Sequence, residues 1–446
     1  MDSVRIVLKQ IDYIQNPHNC TSARKVICDL SNGGMASTVH HWVYCLIFAY
    51  YTNRTMLIDT SRWHYLKNVK SKDGINDFHD LFQPISKCKY TDHDKKMAVS
   101  WKNPSMDSTD ANKTPQVIRL IRIGFLLQYR SPGPKICHYA MPTKIFYDII
   151  QFKYKPMAWW TGLLAQYIVR PNHFLQQFID QSRKQFQFQS PIVGLHIRRT
   201  DKQKEAKLFN IDEYMVKIKA FFDHLAKRKI NIKRRVFVTT DEPHLIPQLK
   251  SKYTNYQFSH PPLKQLEAGP YTTRYSALHL KHFMRDLFLL AECDYLVVTM
   301  TSNVGRLAYE LHEVIYSRTQ SQHFTSMDIG YNIFGQVRNG GPWIMRAIQD
   351  CHDNTSEIHF IKGDILDSCI PLKKKNGGYR CFSRRLQKSG SLSASCVTYL
   401  LDDDRTYLDY NILDESLQSD NLYDSKYFHN DTQNACTKSS INDIQL

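Results

Sequence analysis

The stretch PIVGLHIRRTDKQKE, residues Pro191 to Glu205, joins an apolar run to a dense cluster of charges. The run over 191–197 is nearly continuous, which is typical of a parallel strand covered on both faces. Side chains alternate along a strand, so Gly194, His196 and Arg198 point to the same side. Ligands gather at the carboxyl ends of strands in open α/β sheets, so His196 and Arg198 are predicted to face a binding crevice.

Strand-like and helix-like segments alternate on both sides of this stretch. Residues 24–59 predict a strand, a turn at Gly33-Gly34, a helix and a second strand. Downstream, the strand-like segments RVFVTT, NYQFS and YLVVTM alternate with helical segments, the last of which is SNVGRLAYELHE. This alternation predicts an α/β fold with a doubly wound parallel sheet. Residues 62–134 are polar and irregular and predict mostly loops.

Two further patterns lie downstream of the charged cluster. Asn210 and Glu213 have the spacing of an N-cap pair, and the apolar positions that follow mark one face of a helix. After about Asn354 the pattern changes to short strand-like segments separated by turns, which predicts a small all-β module. The acidic, poorly periodic tail at 402–446 predicts disorder.

The composition indicates an anionic partner without identifying it. The formal net charge is +17 at pH 7, which suits nucleic acid, phosphorylated small molecules and acidic membranes alike. No nucleic-acid-binding module is recognisable, and no stretch reaches the roughly 18 apolar residues of a membrane-spanning helix. The sequence as written therefore predicts a soluble chain that binds no nucleic acid. Its eleven cysteines include no CxxC pair, so we expect no zinc site.

Two strand ends carry residues suited to an anion. Arg198 and Arg199 can make forked, charge-assisted contacts to phosphate oxygens. Ser302 lies just before a helix, where unpaired backbone amides attract anions. Both features also have structural explanations, because arginine pairs at strand ends are usually solvated and a serine at this place is often a plain N-cap. A phosphorylated ligand is the hypothesis that uses both.

Asp286 extends this hypothesis to a nucleobase. A carboxylate on the long helix, together with the imidazole of His196, can read the edge of a base, although Asp286 can also be a capped or paired carboxylate. No strand-borne Asp-x-Asp is present to hold a divalent metal against a diphosphate, and the run at 402–404 lies in the tail. Arginine and helix amides alone would then meet the phosphate charge, which predicts metal independence.

Several longer motifs occur in one order from about Ile11 to Leu400. They are IQNPHNC, VHHWVYCLIFAY, RTMLIDTSRWHY, AWWTGLLAQYIVRP, HIRRTDK, VFVTTDEPHLI, SKYTNYQF and AECDYLVVTMTSNVGRLAYEL. On these motifs the chain resembles the eukaryotic α1,6-fucosyltransferases of glycosyltransferase family 23, which modify the innermost GlcNAc of N-glycans. The set is more specific than a lone HxRRxD element, which fucosyltransferases of several kinds share.

The resemblance implies an inverting glycosyltransferase that moves fucose from GDP-fucose to the 6-hydroxyl of the innermost GlcNAc of N-glycans, without a metal or other cofactor. It also implies a GT-B-like layout with a Rossmann-type nucleotide-binding domain. The regions are an N-terminal α/β catalytic subdomain at 1–190, a Rossmann-like GDP-sugar-binding subdomain at 191–353, an SH3-like β module at 354–401 and the acidic tail at 402–446.

The resemblance assigns roles to individual residues. Glu205 is the general base on the acceptor hydroxyl, and Lys202 either relays the proton or orients Glu205. The other catalytic residues are Arg198, Arg199 and Asp201. The donor is bound by His196 and Asp286 at the guanine, by Tyr65 at the ribose, and by Arg198, Ser302 and Asn303 at the diphosphate. The acceptor-binding residues are Asp328, Gln336 and Lys375.

The resemblance further implies disulfides between Cys20 and Cys88 and between Cys28 and Cys45, and hence an oxidising compartment. That compartment is the Golgi lumen, although the family's membrane anchor and most of its helical stem are absent from this chain. The implied partners are GDP-fucose, the N-glycans of glycoproteins and a second copy of the chain in a homodimer.

Two departures from the family leave other functions open. The loop between Lys202 and Glu205 is one residue shorter than in the family, which can displace Glu205. Lys375 stands where the family has a histidine that contacts the acceptor. The alternatives are a protein O-fucosyltransferase-like enzyme and a catalytically inactive glycan-binding homologue.

Overall fold

The computed structural model describes a large part of the chain. The described residues are 2–28, 33–60, 63–66, 75–100, 115–120, 156–199, 207–227, 232–266, 275–316, 323–328, 331, 343–347, 349–352, 358–371, 379–383, 385–393 and 396–399. The predicted tail at 402–446 lies outside them.

A small parallel sheet organises the N-terminal part. Its strands are β1 Lys25–Cys28, β2 Thr55–Ile58, β3 Val99–Ser100 and β4 Val117–Leu120. The order is β2–β1–β4–β3, and every neighbouring pair is parallel. Strands β3 and β4 fall within 62–134, so the prediction of mostly loops is wrong there. These strands are two and four residues long, too short for a visible alternation of apolar and polar positions.

Helices surround this sheet. They are α1 Asp2–Gln15, α2 Met35–Tyr51, α3 Asp92–Met97, α4 Pro156–Ile168 and α5 His173–Gln185, with a short 3₁₀-helix at Phe78–Asp80. Nearly all side chains of α2 are buried, as its apolar sequence predicts, and Trp42 and Phe48 are completely enclosed. Within the described part of the chain, no helix combines the length and apolar character needed to span a bilayer.

A second parallel sheet contains the stretch at Pro191. Its strands are β5 Ile192–Ile197, β6 Arg235–Thr240, β7 Gln257–Ser259, β8 Tyr295–Val298 and β9 Phe324–Ser326. The order is β7–β6–β5–β8–β9, all parallel, so β5 lies in the centre with all six residues buried. In chain order this is the doubly wound arrangement, whose connections reverse direction beside the first strand. The predicted parallel α/β sheet is confirmed.

The described helices of this unit differ in whether a side chain caps their first turn. They are α6 Ile211–Lys227, α7 Leu245–Lys252, α8 Leu263–Leu266, α9 Ala277–Ala291 and α10 Asn303–Ile315. The predicted pair before α6 is confirmed, because the Asn210 amide donates to Glu213 at 2.8 Å and the Glu213 amide donates back to the Asn210 side chain at 2.9 Å. At α9 the hydroxyl of Ser276 accepts from the amide of His279.

A glycine lets β5 and α9 come close together. A Cβ atom on Gly194 would lie 2.8 Å from a methyl carbon of Leu290 and 3.0 Å from the sulfur of Cys293. Because His196 follows on the same side of β5 and Asp286 precedes Leu290 by one turn of α9, this contact sets the distance across which the two polar side chains face each other.

A second glycine joins the two sheets through their helices. A Cβ atom on Gly162 in α4 would lie 1.8 Å from the carbonyl oxygen of Glu310 in α10, so the two backbones touch at this point. The carboxylate of Glu310 is bonded to His40 of α2 at 2.8 Å and accepts from Tyr331 at 3.0 Å, and His40 and Glu310 are both fully buried. Helix α10 therefore links the N-terminal part to the second sheet.

The described residues of the C-terminal part form β-strands and the turns between them. Its strands are β10 Trp343–Ala347, β11 Cys351–His352, β12 His359–Phe360, β13 Ile365–Pro371, β14 Tyr379–Ser383, β15 Lys388–Leu392 and β16 Val397–Tyr399. Five of them form an antiparallel sheet in the order β15–β14–β13–β10–β16, and β11 pairs with β12. The predicted boundary at residue 354 is wrong, since β10 lies between β13 and β16 and so belongs to this sheet.

A buried lysine joins this β unit to the second sheet. Lys217 of α6 is 1% exposed, and its ammonium group donates to the carbonyl oxygen of Val397 in β16. Burial lowers the pKa of Lys217 to about 7, and the nearby carboxylate of Glu213 partly offsets this. Burying an ammonium group costs free energy because the group loses its hydration. The hydrogen bond to the Val397 carbonyl offsets part of that cost and joins α6 to the C-terminal β unit.

Four disulfides lie in the described part of the chain. The structure joins Cys20 to Cys88 and Cys28 to Cys45, which are the two pairs implied by the resemblance. It also joins Cys351 to Cys396 and Cys369 to Cys381 within the C-terminal β unit, for which the sequence alone gives no pairing. The buried Cys293 remains a thiol.

The close contact of α4 with α10 gives a direct test of the packing. Alanine is the better helix former by about 1 kcal/mol, so Gly162→Ala would stabilise an isolated helix. Here the added methyl group meets the Glu310 carbonyl oxygen, and we expect a loss of about 1–3 kcal/mol in the free energy of unfolding. Denaturant unfolding measures it, with Gln166→Ala on the exposed face of α4 as control. A stabilised Gly162→Ala variant would contradict the packing.

Candidate active site

A cleft opens at the carboxyl end of β5, between the ends of β5 and β6 and helices α9 and α10. Its empty volume is about 630 Å³, including space open to solvent, and it is lined by His196, Arg198, Thr239, Asp286 and Val304. The structure thus has a cleft where the sequence predicts a binding crevice beside His196 and Arg198, at the switch point of the sheet.

The imidazole of His196 lies on the floor of this cleft. It is 6% exposed, and Nδ1 lies 3.0 Å from the hydroxyl oxygen of Thr239. That hydroxyl donates to the Leu195 carbonyl at 3.4 Å, so it accepts from Nδ1 and leaves Nε2 as an acceptor. Among the described residues, Nε2 has no hydrogen-bond partner. Burial, and then the charge of Arg198, lower the pKa of His196 to about 4, so the ring is neutral at physiological pH.

Asp286 lines the same cleft from α9. Burial raises its pKa to about 6, although the neighbouring Arg285 guanidinium acts in the opposite direction. Arg285 donates to Asp286 at 2.7 Å and to the side chain of Gln265 at 2.7 Å, which holds the carboxylate in place. The structure thus brings together His196 and Asp286, a neutral acceptor and an acid that is ionised above about pH 6.

The two arginines that follow β5 are held by acids after β6. The Arg198 Nε lies 3.5 Å from Asp241, and an Arg199 guanidinium nitrogen lies 3.5 Å from Glu242. The backbone amide of Arg199 also donates to Asp241 at 2.9 Å. At 3.5 Å both ion pairs are longer than the roughly 2.8 Å of a strong charge-assisted hydrogen bond.

Helix α10 begins at the edge of the cleft. Ser302 occupies its N-cap position, but the serine hydroxyl makes no capping hydrogen bond, so the plain N-cap explanation does not apply to it. Asn303 accepts from Arg306 at 3.2 Å, and Val304 reaches the cleft wall. The amides of the first helical turn are therefore near the same cleft as Arg198.

Besides Arg199, Ser302 and Asn303, the predicted site residues Tyr65 and Asp328 also lie outside the lining of the cleft. The hydroxyl of Tyr65 accepts from the Met35 amide at 3.0 Å, and its ring packs on Tyr275, just before α9 begins. Asp328 follows β9 and is 4% exposed, with its carboxylate bonded to the loop that precedes Ser302.

Five predicted site residues cannot be located. Asp201, Lys202, Glu205, Gln336 and Lys375 lie outside the described residues. Within the described ranges, no three or more histidine, cysteine, aspartate or glutamate side chains are grouped to hold a metal ion.

Comparison with known families decides the relationship of the chain. A protein-family model, described as alpha-(1,6)-fucosyltransferase N- and catalytic domains, matches residues 2–331 of the chain. The chain belongs to the alpha-(1,6)-fucosyltransferase family. The matched region includes the first sheet, the whole of the second sheet and the cleft.

Curated members of this family show how much of the protein is covered. The alpha-(1,6)-fucosyltransferase of Drosophila melanogaster is 31% identical over 333 residues, covering 74% of this chain and 50% of the relative. That of Caenorhabditis elegans is 29% identical over 338 residues, covering 74% of this chain and 56% of the relative. The chain thus spans about half the length of the curated relatives it matches.

Solved structures are more distant. An Arabidopsis thaliana FUT1 mutant in complex with GDP has 13% identity and a TM-score of 0.42, covering 74% of this chain and 76% of that chain. The fucosyltransferase NodZ from Bradyrhizobium has 13% identity and a TM-score of 0.38, covering 64% and 92%. Similarity at this level supports no argument about the site.

Three members of the site were missed in the sequence. Asp241, Thr239 and Gln265 respectively hold Arg198, His196 and Arg285. Thr239 and Asp241 could have been predicted, because they lie at and just after the carboxyl end of β6. Strand β6 is parallel to β5, and the carboxyl ends of parallel strands lie at the same end of a sheet. Gln265 had none, since its partner is brought to it by tertiary packing.

Proposed function

We propose that this protein transfers fucose from GDP-fucose to the 6-hydroxyl of the innermost GlcNAc of N-glycans, with inversion at the sugar carbon. The observation that carries the proposal is the cleft at the carboxyl end of β5, which is lined by a neutral histidine, an acid and an arginine. The names of the family relatives support this reaction over transfer to protein hydroxyls and over a merely glycan-binding role.

The donor's base fits the inner part of the cleft. The guanine edge offers N–H donors, which match the carboxylate of Asp286 and the free acceptor nitrogen of His196. Burial strengthens these hydrogen bonds, since bulk water does not compete for the same groups. Tyr65 is proposed for the ribose, on the strength of the resemblance and of its contact with Tyr275 beside α9.

The diphosphate fits the mouth of the cleft. Arg198 would turn from its 3.5 Å contact with Asp241 toward the phosphate oxygens, while Ser302 and Asn303 offer the donors of the first turn of α10. The leaving diphosphate gains negative charge as the bond to the sugar breaks. Once Arg198 contacts the phosphate oxygens, its guanidinium stabilises that charge more in the transition state than in the ground state, which lowers the barrier.

The acceptor chemistry is proposed from the resemblance. A sugar hydroxyl is a weak nucleophile, so Glu205 takes its proton while the 6-oxygen bonds to the fucose carbon and the diphosphate departs with the bonding electrons. A well-placed base contributes roughly 10²–10⁴-fold. Lys202, Asp201 and Arg199 are proposed beside it. Gln336 and Lys375 are proposed on the glycan.

Layout and compartment are proposed on the same basis. We infer a GT-B-like arrangement of the two parallel-sheet units, an SH3-like identity for the C-terminal β unit, and a homodimer as in the family. The four disulfides support an oxidising compartment, for which we propose the Golgi lumen. Metal independence is proposed because arginine and helix amides can meet the phosphate charge.

The reaction is tested by incubating the protein with GDP-fucose and a GlcNAc-terminated biantennary N-glycan peptide in the presence of a chelator. Mass spectrometry should show a gain of one deoxyhexose. Arg198→Ala should lower turnover by about 10²–10³-fold, as expected when a donor to developing charge is removed. Arg235→Ala is the matched control, because Arg235 begins β6 at the opposite edge of the sheet.

Two results would count against this proposal. Absence of both transfer and GDP binding by the wild-type protein would end it. Full turnover by Arg198→Ala would remove Arg198 from the mechanism.

The raised pKa of Asp286 predicts a pH dependence of GDP binding. Guanine requires the ionised carboxylate, and below about pH 6 a growing share of Asp286 is protonated in the free protein. Affinity should therefore be about tenfold lower at pH 5 than at pH 7 through this group. His196 stays neutral over this range because burial lowers its pKa to about 4.

Calorimetric titration with GDP at the two pH values measures this effect. Asp286→Asn is the control, because GDP's own phosphate also ionises near pH 6 and continues to do so in the variant. The variant should bind more weakly at pH 7 and show a smaller change with pH. Equal pH dependence in the two proteins would exclude Asp286 as the titrating group.

A further inference from the structure

The loop from Thr299 to Ser302 connects β8 to α10 and leads into the helix start proposed for the diphosphate. Its conformation is fixed by one carboxylate. The amides of Met300 and Thr301 donate to the two oxygens of Asp328 at 2.8 and 3.3 Å, and the Thr301 hydroxyl donates to the same group. Asp328 thus binds two successive residues of the loop.

Two further hydrogen bonds hold the same loop in place. The guanidinium of Arg306, one turn into α10, donates to the Met300 carbonyl at 2.9 Å. The Ser302 amide donates to the Thr299 carbonyl at 3.2 Å and closes the turn. Met300 is therefore held at its amide by Asp328 and at its carbonyl by Arg306, which leaves the loop little freedom to move.

The carboxylate of Asp328 has its hydrogen-bonding capacity filled. Besides the three donors of the loop, the Ser326 hydroxyl donates to it at 3.0 Å. Two carboxylate oxygens have about four lone-pair sites, so four donors saturate them. The residue is also only 4% exposed. A glycan hydroxyl would have to displace one of these donors, whereas the resemblance alone would assign Asp328 to the acceptor.

We propose that Asp328 is a positioning residue for the donor's diphosphate, which it serves by holding the loop that presents Ser302 and the first amides of α10. This inference rests on the proposed function, since it concerns the same nucleotide. The carboxylate's negative charge is spread over its four donors, and the buried Arg306 places a positive charge beneath the loop, so repulsion of the diphosphate is reduced.

The test compares two ligands on one variant. In Asp328→Asn an NH₂ group replaces one oxygen and faces N–H and O–H donors, so the loop loses part of its support. GDP affinity should fall about ten- to hundredfold, the equivalent of one or two charge-assisted hydrogen bonds. Affinity for guanosine, which has no phosphate, should stay within about twofold of the wild type when measured by ligand-observed NMR.

Two further variants separate this role from general damage. Asp294→Asn alters a carboxylate that accepts from Ser190 and Ile192 at 2.7 Å at the opposite edge of the same sheet. It should lower thermal stability but leave GDP affinity unchanged. Thr301→Val removes one donor to Asp328 and keeps the side-chain shape, and we expect a severalfold loss of GDP affinity with guanosine unaffected.

The outcomes are distinguishable. Unchanged GDP affinity in Asp328→Asn, with a raised KM for the glycopeptide at saturating donor, would overturn the inference and make Asp328 an acceptor ligand. Parallel loss of GDP and guanosine affinity would overturn it by showing a general disturbance of the cleft. If the wild-type protein fails to bind GDP, the proposed function itself is wrong and the inference is lost with it.

Discussion

The parallel pairing of β5 with β6 on one side and β8 on the other is the constraint on which the site depends. Because the three strands are parallel, their carboxyl ends lie at the same end of the sheet. The connection after β5 leads to β6 on one side and the connection after β8 leads to β9 on the other, which opens a crevice between them. His196 and Arg198 follow from the first strand, Asp241 from the second and Ser302 from the third. Residues that are far apart in sequence are thereby gathered without any local signal that links them.

Packing turns this topological edge into a cleft of defined width. Gly194 allows α9 to lie against β5, and α9 carries Asp286 on the turn that faces His196. Helix α10 is anchored near its middle by the buried contact of Glu310 with His40, which holds the helix in place relative to the sheet. Protein interiors are close-packed, and these contacts therefore transmit the placement of distant helices to the cleft.

Charges in the cleft are balanced before any ligand arrives. Arg198 pairs with Asp241 and Arg285 with Asp286, while burial keeps His196 neutral. Each pairing satisfies a group that would be expensive to leave alone in a poorly hydrated site. In the proposed complex Arg198 exchanges Asp241 for the phosphate oxygens, and the first amides of α10 meet part of the negative charge that the diphosphate brings.

Features that depend on local periodicity and on strand ends could be predicted from the sequence. Features that depend on tertiary contacts could not. The apolar run of β5, the alternation of strands and helices and the Asn210 cap pair were visible, because each is local. Lys217 is a clear failure of local patterns: nothing in α6 indicates that its ammonium reaches Val397, 180 residues away. The same holds for β10, whose place in the C-terminal sheet depends on pairing with β13 and β16. The saturated carboxylate of Asp328 was equally invisible, since three of its four donors come from another strand end.

A crystal structure of the protein bound to GDP tests the central claim most directly. The account predicts guanine between His196 and Asp286, with the diphosphate within hydrogen-bond distance of the Arg198 guanidinium and of the first amides of α10. GDP bound outside this cleft, with Arg198 still paired to Asp241, would contradict it.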